Sequence, residues 1–148
     1  AIHAVFLLAS PGKPLEEVML DRIERDLGDS EKSREILEEQ RRRLREIRDS
    51  SADFLVIDGR RTFVGGMRER LRHDPIAALK RVSCGIVILQ GAEDREVGPD
   101  NAERLAEAGK NAIVGRFDSL DHGFRKDGAP DLDFLDFLAR TAGKVLAK

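Results

Sequence analysis

No stretch constrains this chain more than Ile86-Val87-Ile88-Leu89. Four consecutive apolar side chains, mostly β-branched, leave an extended strand without a polar face, so both of its faces must be covered. Gly91 closes the run. A strand covered on both sides belongs inside a parallel sheet flanked by helices. A second continuous apolar run, at roughly residues 3 to 9 and closed by Ser10-Pro11-Gly12, reads the same way, and Ala112 to Phe117 reads as a third strand.

Helical patterns alternate with these strands. Leu15, Val18, Met19, Ile23 and Leu27 recur at helical spacing and stop at Gly28, which predicts a helix from Leu15 to Leu27. A second helix is expected from Glu31 to Arg48. Its apolar residues are few, and its cluster Arg41, Arg42, Arg43 and Arg45 reads as a solvated face laced with Glu-Arg pairs rather than a phosphate-binding or nuclear-import patch. Residues 52 to 72 give no clear signal: Asp53 to Ile57 fits a short strand or a helical turn, and Gly65-Gly66 reads as a flexible turn. Asp74-Pro75 starts a helix running through Ile76 to Val82, Pro99 to Ala108 forms another, and Leu132 to Leu146 closes the chain with an amphipathic helix. The order strand, helices, strand, helix, strand, helix gives an α/β fold with about three parallel strands.

With 148 residues and 41% hydrophobic side chains, the chain is expected to form one domain over 1-148. Its 26 basic and 28 acidic residues nearly cancel, which disfavours a nucleic-acid partner. The single Cys84 has no partner for a disulfide, a pattern that fits a reducing, cytoplasmic setting, and it reads as a small buried hydrophobe rather than a nucleophile. His3 and His73 belong to no ligand pattern, so no metal is expected and no cofactor is called for; Gly65-Gly66 lacks the lysine and further glycines of a phosphate loop. The opening run is followed at once by Pro and Gly and has no basic leader, so it reads as neither a signal peptide nor a membrane span. Its abrupt start suggests that something upstream is missing.

Ligands of parallel α/β sheets bind beyond the carboxyl ends of the strands. Two turns fall there: Gly91-Ala92-Glu93-Asp94-Arg95-Glu96-Val97 and Ser119-Leu120-Asp121-His122-Gly123-Phe124. They resemble the G-x-x-D-x-x-V and H-x-F turns of the α/β-hydrolase family, with Gly91, Asp94 and Val97 matching the first and His122 and Phe124 the second. The resemblance covers most of residues 73 to 148. Val5 to Pro14 looks like the strand and turn that follow the family's nucleophile elbow, and residues 15 to 72 look like its helical cap insertion. It implies that Asp94 and His122 are the acid and the histidine of a Ser-His-Asp triad, in which the carboxylate fixes the imidazole and the imidazole takes a proton from the nucleophile.

The elbow itself, G-x-S-x-G, does not occur in these residues. Ser10 is the one serine just past a strand at the active face, but Pro11 and the missing glycine argue against it. Glu93 and Asp121 read as turn residues beside the functional pair. The resemblance therefore implies part of an α/β-hydrolase, inactive on small esters until a missing N-terminal half supplies the nucleophile. The alternative is a stand-alone structural or self-associating domain. It also implies that the three strands are consecutive neighbours in the sheet, with the first strand's free edge open to homo-oligomer formation.

Overall fold

A computed structural model describes residues 2–146. Two compact units make up the chain, one from Ala1–Lys13 with Pro75–Lys148 and the other from the contiguous stretch Pro14–Asp74. The first holds an α/β sandwich. Its strands β1 (Ala4–Leu8), β4 (Gly85–Gly91) and β5 (Ile113–Phe117) form a parallel sheet in the order β1-β4-β5, with Val5 opposite Ile86 and Val87 opposite Ile113. The three strands read from the sequence are thus consecutive neighbours, and the α/β class holds.

Helices cover both faces of β4. On one side Ile86 and Ile88 pack with Leu79 of α4 (Pro75–Leu79) and with Ala102 and Leu105 of α5 (Asp100–Ala108). On the other, Val87 and Leu89 meet Ala9, Leu120, Phe124 and Phe134, the last from α6 (Leu132–Leu146). Leu89 is 0% exposed. Each such side chain contributes about 1.5–3 kcal/mol through removal of its apolar surface from water, and this central strand fixes where the sheet's carboxyl end lies.

The first strand departs from expectation. A continuous apolar run predicts cover on both faces, yet Ala4 to Leu7 are only half-buried and Leu8 is exposed. The reason is position: among the described residues β1 has β4 as its only neighbour in the sheet. Strand β5, at the other edge, likewise leaves Ile113 and Val114 exposed.

The second unit packs α1 (Leu15–Leu27), α2 (Glu31–Asp49) and α3 (Gly65–Arg72) with a hairpin of β2 (Phe54–Ile57) and β3 (Arg60–Phe63) around Leu20, Leu37, Leu44, Ile47, Val64 and Leu71. Ser30 caps α2 by accepting the Ser33 amide, and Gly28 ends α1 with φ 67°. The arginine-rich face is paired as expected: Arg41 bonds Glu38 at 2.6 Å and Arg42 holds Glu39 bidentately, which keeps the Glu39 carboxyl below its ordinary value. Residues 52 to 72, ambiguous in the sequence, become this hairpin and α3.

Gly65-Gly66 is a helix start, not the flexible turn expected. A Cβ at 65 would lie 2.9 Å from the tip of the Phe63 ring, but that ring is exposed and can move aside, so the contact does not by itself demand glycine. Among the described residues no helix is long and apolar enough to cross a membrane.

Candidate active site

The acid turn begins where β4 ends. Asp94 is 2% exposed, and a carboxylate buried that deeply must have its lone pairs filled. They are. Its Oδ1 accepts the backbone amides of Glu96 at 2.8 Å and Val97 at 2.9 Å, while Oδ2 accepts Gln90 Nε2 at 3.1 Å and lies 2.9 Å from His122 Nδ1. Facing an acceptor-only carboxylate, Nδ1 carries the hydrogen in neutral His122, so Nε2 is left as the basic nitrogen.

Local chemistry explains the spacing of both turns. Gly91 is required by close approach: a Cβ there would collide with the carbonyl oxygen of Leu120 and lie 2.8 Å from that of Asp121. The histidine turn therefore rests directly on the backbone of the acid turn, tied to it by Ala92 N–H to Phe117 O at 2.9 Å and Glu93 N–H to Leu120 O at 3.1 Å. Val97 is buried and anchors the far end of the acid turn.

Phe124 does the same for the histidine. It is buried, stacks on Phe134 at 4.2 Å between ring centroids, and meets Phe117 edge-on at 6.1 Å. Its φ of 54° bends the chain sharply behind His122. Asp121 completes the turn from within, its Oδ1 accepting the amides of Gly123 and Arg125 at 2.8 and 2.9 Å. The imidazole, with 42% of its side chain exposed, is held at the surface by these buried neighbours.

The other residues weighed from the sequence make no hydrogen bond to this pair among the described residues. Glu93 is exposed. Ser10 follows β1 at the same end of the sheet, but its hydroxyl donates to Leu8 O at 3.2 Å. Cys84 precedes β4, at the opposite end of the sheet, and is half-buried rather than fully buried. Among the described residues no three His, Cys, Asp or Glu side chains cluster as a metal site.

Sequence reasoning missed two polar residues. Gln90, 2% exposed, is the last side chain of β4 before Gly91, and a buried amide at the end of an apolar strand was the available signal. Asn101, 1% exposed, accepts the amides of Gly12 and Lys13 at 2.9 and 3.1 Å and donates to Gly98 O at 2.9 Å. It clamps the loop after β1 to the end of the acid turn, an attachment strengthened by a Lys13–Asp100 ion pair at 2.7 Å.

The fold and the two turns together define a partial α/β-hydrolase-like architecture. Two solved structures share it: an α/β fold family hydrolase from Bacillus anthracis str. Sterne, at TM-score 0.51 and 12% identity over 97% of this chain, and E-2-(acetamidomethylene)succinate hydrolase, at TM-score 0.51 and 12% identity over 99%. This chain spans 58% of the length of each. No protein-family model and no curated protein sequence matches the chain.

Proposed function

We propose that Asp94 and His122 are the acid and the base of a Ser-His-Asp type triad for ester or related acyl hydrolysis, whose nucleophile comes from outside these residues. The observation that carries this reading is the buried carboxylate with four hydrogen-bond partners, one of them His122 Nδ1, beside an imidazole with 42% of its side chain exposed. In the reaction, the serine Oγ–H proton passes to His122 Nε2 as Oγ attacks the acyl carbon. The tetrahedral intermediate then expels the alcohol, which takes that proton from Nε2 and leaves the acyl group on the serine. Water, giving a proton to Nε2 as it attacks, then releases the acid and restores the serine hydroxyl, and Asp94 stabilises the imidazolium in both halves. These residues include neither the elbow serine nor the amides an elbow contributes to an oxyanion hole, so hydrolysis by the isolated chain is negligible.

The test is complementation. The chain is mixed with a separately made hydrolase N-terminal half carrying a G-x-S-x-G elbow, and hydrolysis of a p-nitrophenyl ester is followed. Activity is expected only in the mixture and is lost with His122→Ala. Fluorophosphonate labelling of a serine on the isolated chain, or mixture activity indifferent to His122→Ala, overturns the reading.

A second reading, self-association, is favoured by the outer edge of β1, which among the described residues has β4 as its one sheet neighbour. Light scattering at micromolar concentration is expected to give a mass above one chain; a sharp monomer peak refutes it.

A further inference from the structure

We infer that Gln90 is a positioning residue for the Asp94–His122 pair: its carboxamide holds the acid turn shut and presents Asp94 Oδ2 to His122. This rests on the reading of that pair as the acid and base of a triad.

The geometry is that of a buckle. From the end of β4, Gln90 Nε2 lies 3.1 Å from each of three acceptors: Gly91 O beside it, Asp94 Oδ2 in the middle of the turn, and Val97 O at its far end. Because all three are acceptors, the amide orientation is set by chemistry: turned over, its oxygen would face three oxygens. Asp94 Oδ1 is already fixed by two backbone amides, so Gln90 secures the other oxygen, the one His122 uses.

The remaining atom of the side chain separates positioning from plain stabilisation. Gln90 Oε1 is buried and has no hydrogen-bond partner among the described residues. An apolar residue of the same length would have avoided that desolvation cost, so a residue selected only for packing would not be an amide. Every hydrogen bond Gln90 makes through its side chain is a donation into the acid turn. Of the acids nearby, Asp94 is the one bonded to His122 Nδ1, while Asp121 Oδ1 is engaged by the Gly123 and Arg125 amides.

The test reads the ring directly. In the 15N-labelled full chain, long-range proton–nitrogen spectra above the pKa of His122 are expected to show mainly the Nδ1–H tautomer. Gln90→Met, which keeps length and removes the donor, is expected to lower the ratio of Nδ1–H to Nε2–H forms about tenfold, the scale set by one charge-assisted hydrogen bond. An unchanged ratio in folded Gln90→Met overturns the inference.

Should that variant not fold, the native protein serves. Its Gln90 side-chain amide protons are expected to exchange at least about a hundredfold more slowly than those of the partly exposed Gln40, and their shifts to follow the titration of His122 through the shared Oδ2. Gln90 resonances that ignore that titration overturn the inference. Neither measurement needs a nucleophile, so a failure here combined with His122-dependent hydrolysis in the complemented mixture sinks the role of Gln90 alone. The opposite pair of results sinks the triad reading alone.

Discussion

Replacing Gly91 with alanine probes the joint on which the site depends. A Cβ at this position meets the Leu120 carbonyl oxygen well inside contact distance and sits 2.8 Å from the Asp121 oxygen, whereas an ordinary carbon–oxygen contact begins at about 3.3 Å. The histidine turn must therefore withdraw by about 1 Å. Stretched that far, the 3.1 Å Glu93–Leu120 bond is no longer a hydrogen bond, and the 2.9 Å Ala92–Phe117 bond is weakened. At about 1 kcal/mol for each backbone bond and about 1–3 kcal/mol for the overpacking, Gly91→Ala is expected to destabilise the sheet unit by about 2–5 kcal/mol.

Native-state hydrogen exchange of the β4 amides reads that unit by itself. The same displacement should pull His122 away from Asp94 and abolish its Nδ1–H preference. Gly66 provides the control: it lies in α3, and an added Cβ there meets nothing within 4 Å. Gly66→Ala should stabilise the α2 and α3 amides by about 0.5–1 kcal/mol. A change below about 0.5 kcal/mol for Gly91→Ala would refute the argument that close approach of the two turns demands glycine.

Two further substitutions act on one unit each. Leu89→Ala, at the most buried point of β4, should cost about 2–5 kcal/mol in chemical denaturation, with His122 still bonded to Asp94 by NMR in the surviving folded fraction. Ser30→Ala removes the cap of α2 and the 2.7 Å contact with the Ser33 hydroxyl, and about 1 kcal/mol should be lost from the α2 amides while those of β4 stay unchanged.

Where one interaction dominates a segment, the sequence was readable. The helix Leu15–Leu27 has the bounds its periodicity predicts, as does Leu132–Leu146, and β4 declares itself through unbroken apolar residues. Edge and centre are a different matter: an apolar run looks the same in either place, so β1 was expected to be covered on both faces. The two hairpins were missed for a local reason. Asp58-Gly59 has φ of 50° and 76°, and Asp127-Gly128 joins β6 (Arg125–Lys126) to β7 (Ala129–Pro130) with φ of 52° and 79°. These are the left-handed pairs that let two short strands reverse direction, and Asp-Gly was the signal for both.

In the site, Gly91, Asp94, His122 and Phe124 were picked out only by resemblance to two family turns; the structure adds a physical reason for Gly91, by close approach, and for Phe124, by its stacked buried ring. Gln90 and Asn101 were not read, since an amide closing an apolar strand or sitting in the first turn of a charged helix has many ordinary roles there. Their roles depend on backbone carbonyls and amides that only the folded turns bring within reach.

The division of the chain sets an order of events during synthesis. Strand β1 leaves the ribosome before Pro14–Asp74, and its partner β4 only after that stretch is complete. The intervening residues carry their own apolar core and can collapse before β4 is made. Closing the parallel β1–β4 ladder is therefore a late, long-range step, slow relative to formation of the helices. Until it closes, Val5, Phe6 and Leu7 lack their β4 partners Ile86, Val87 and Ile88.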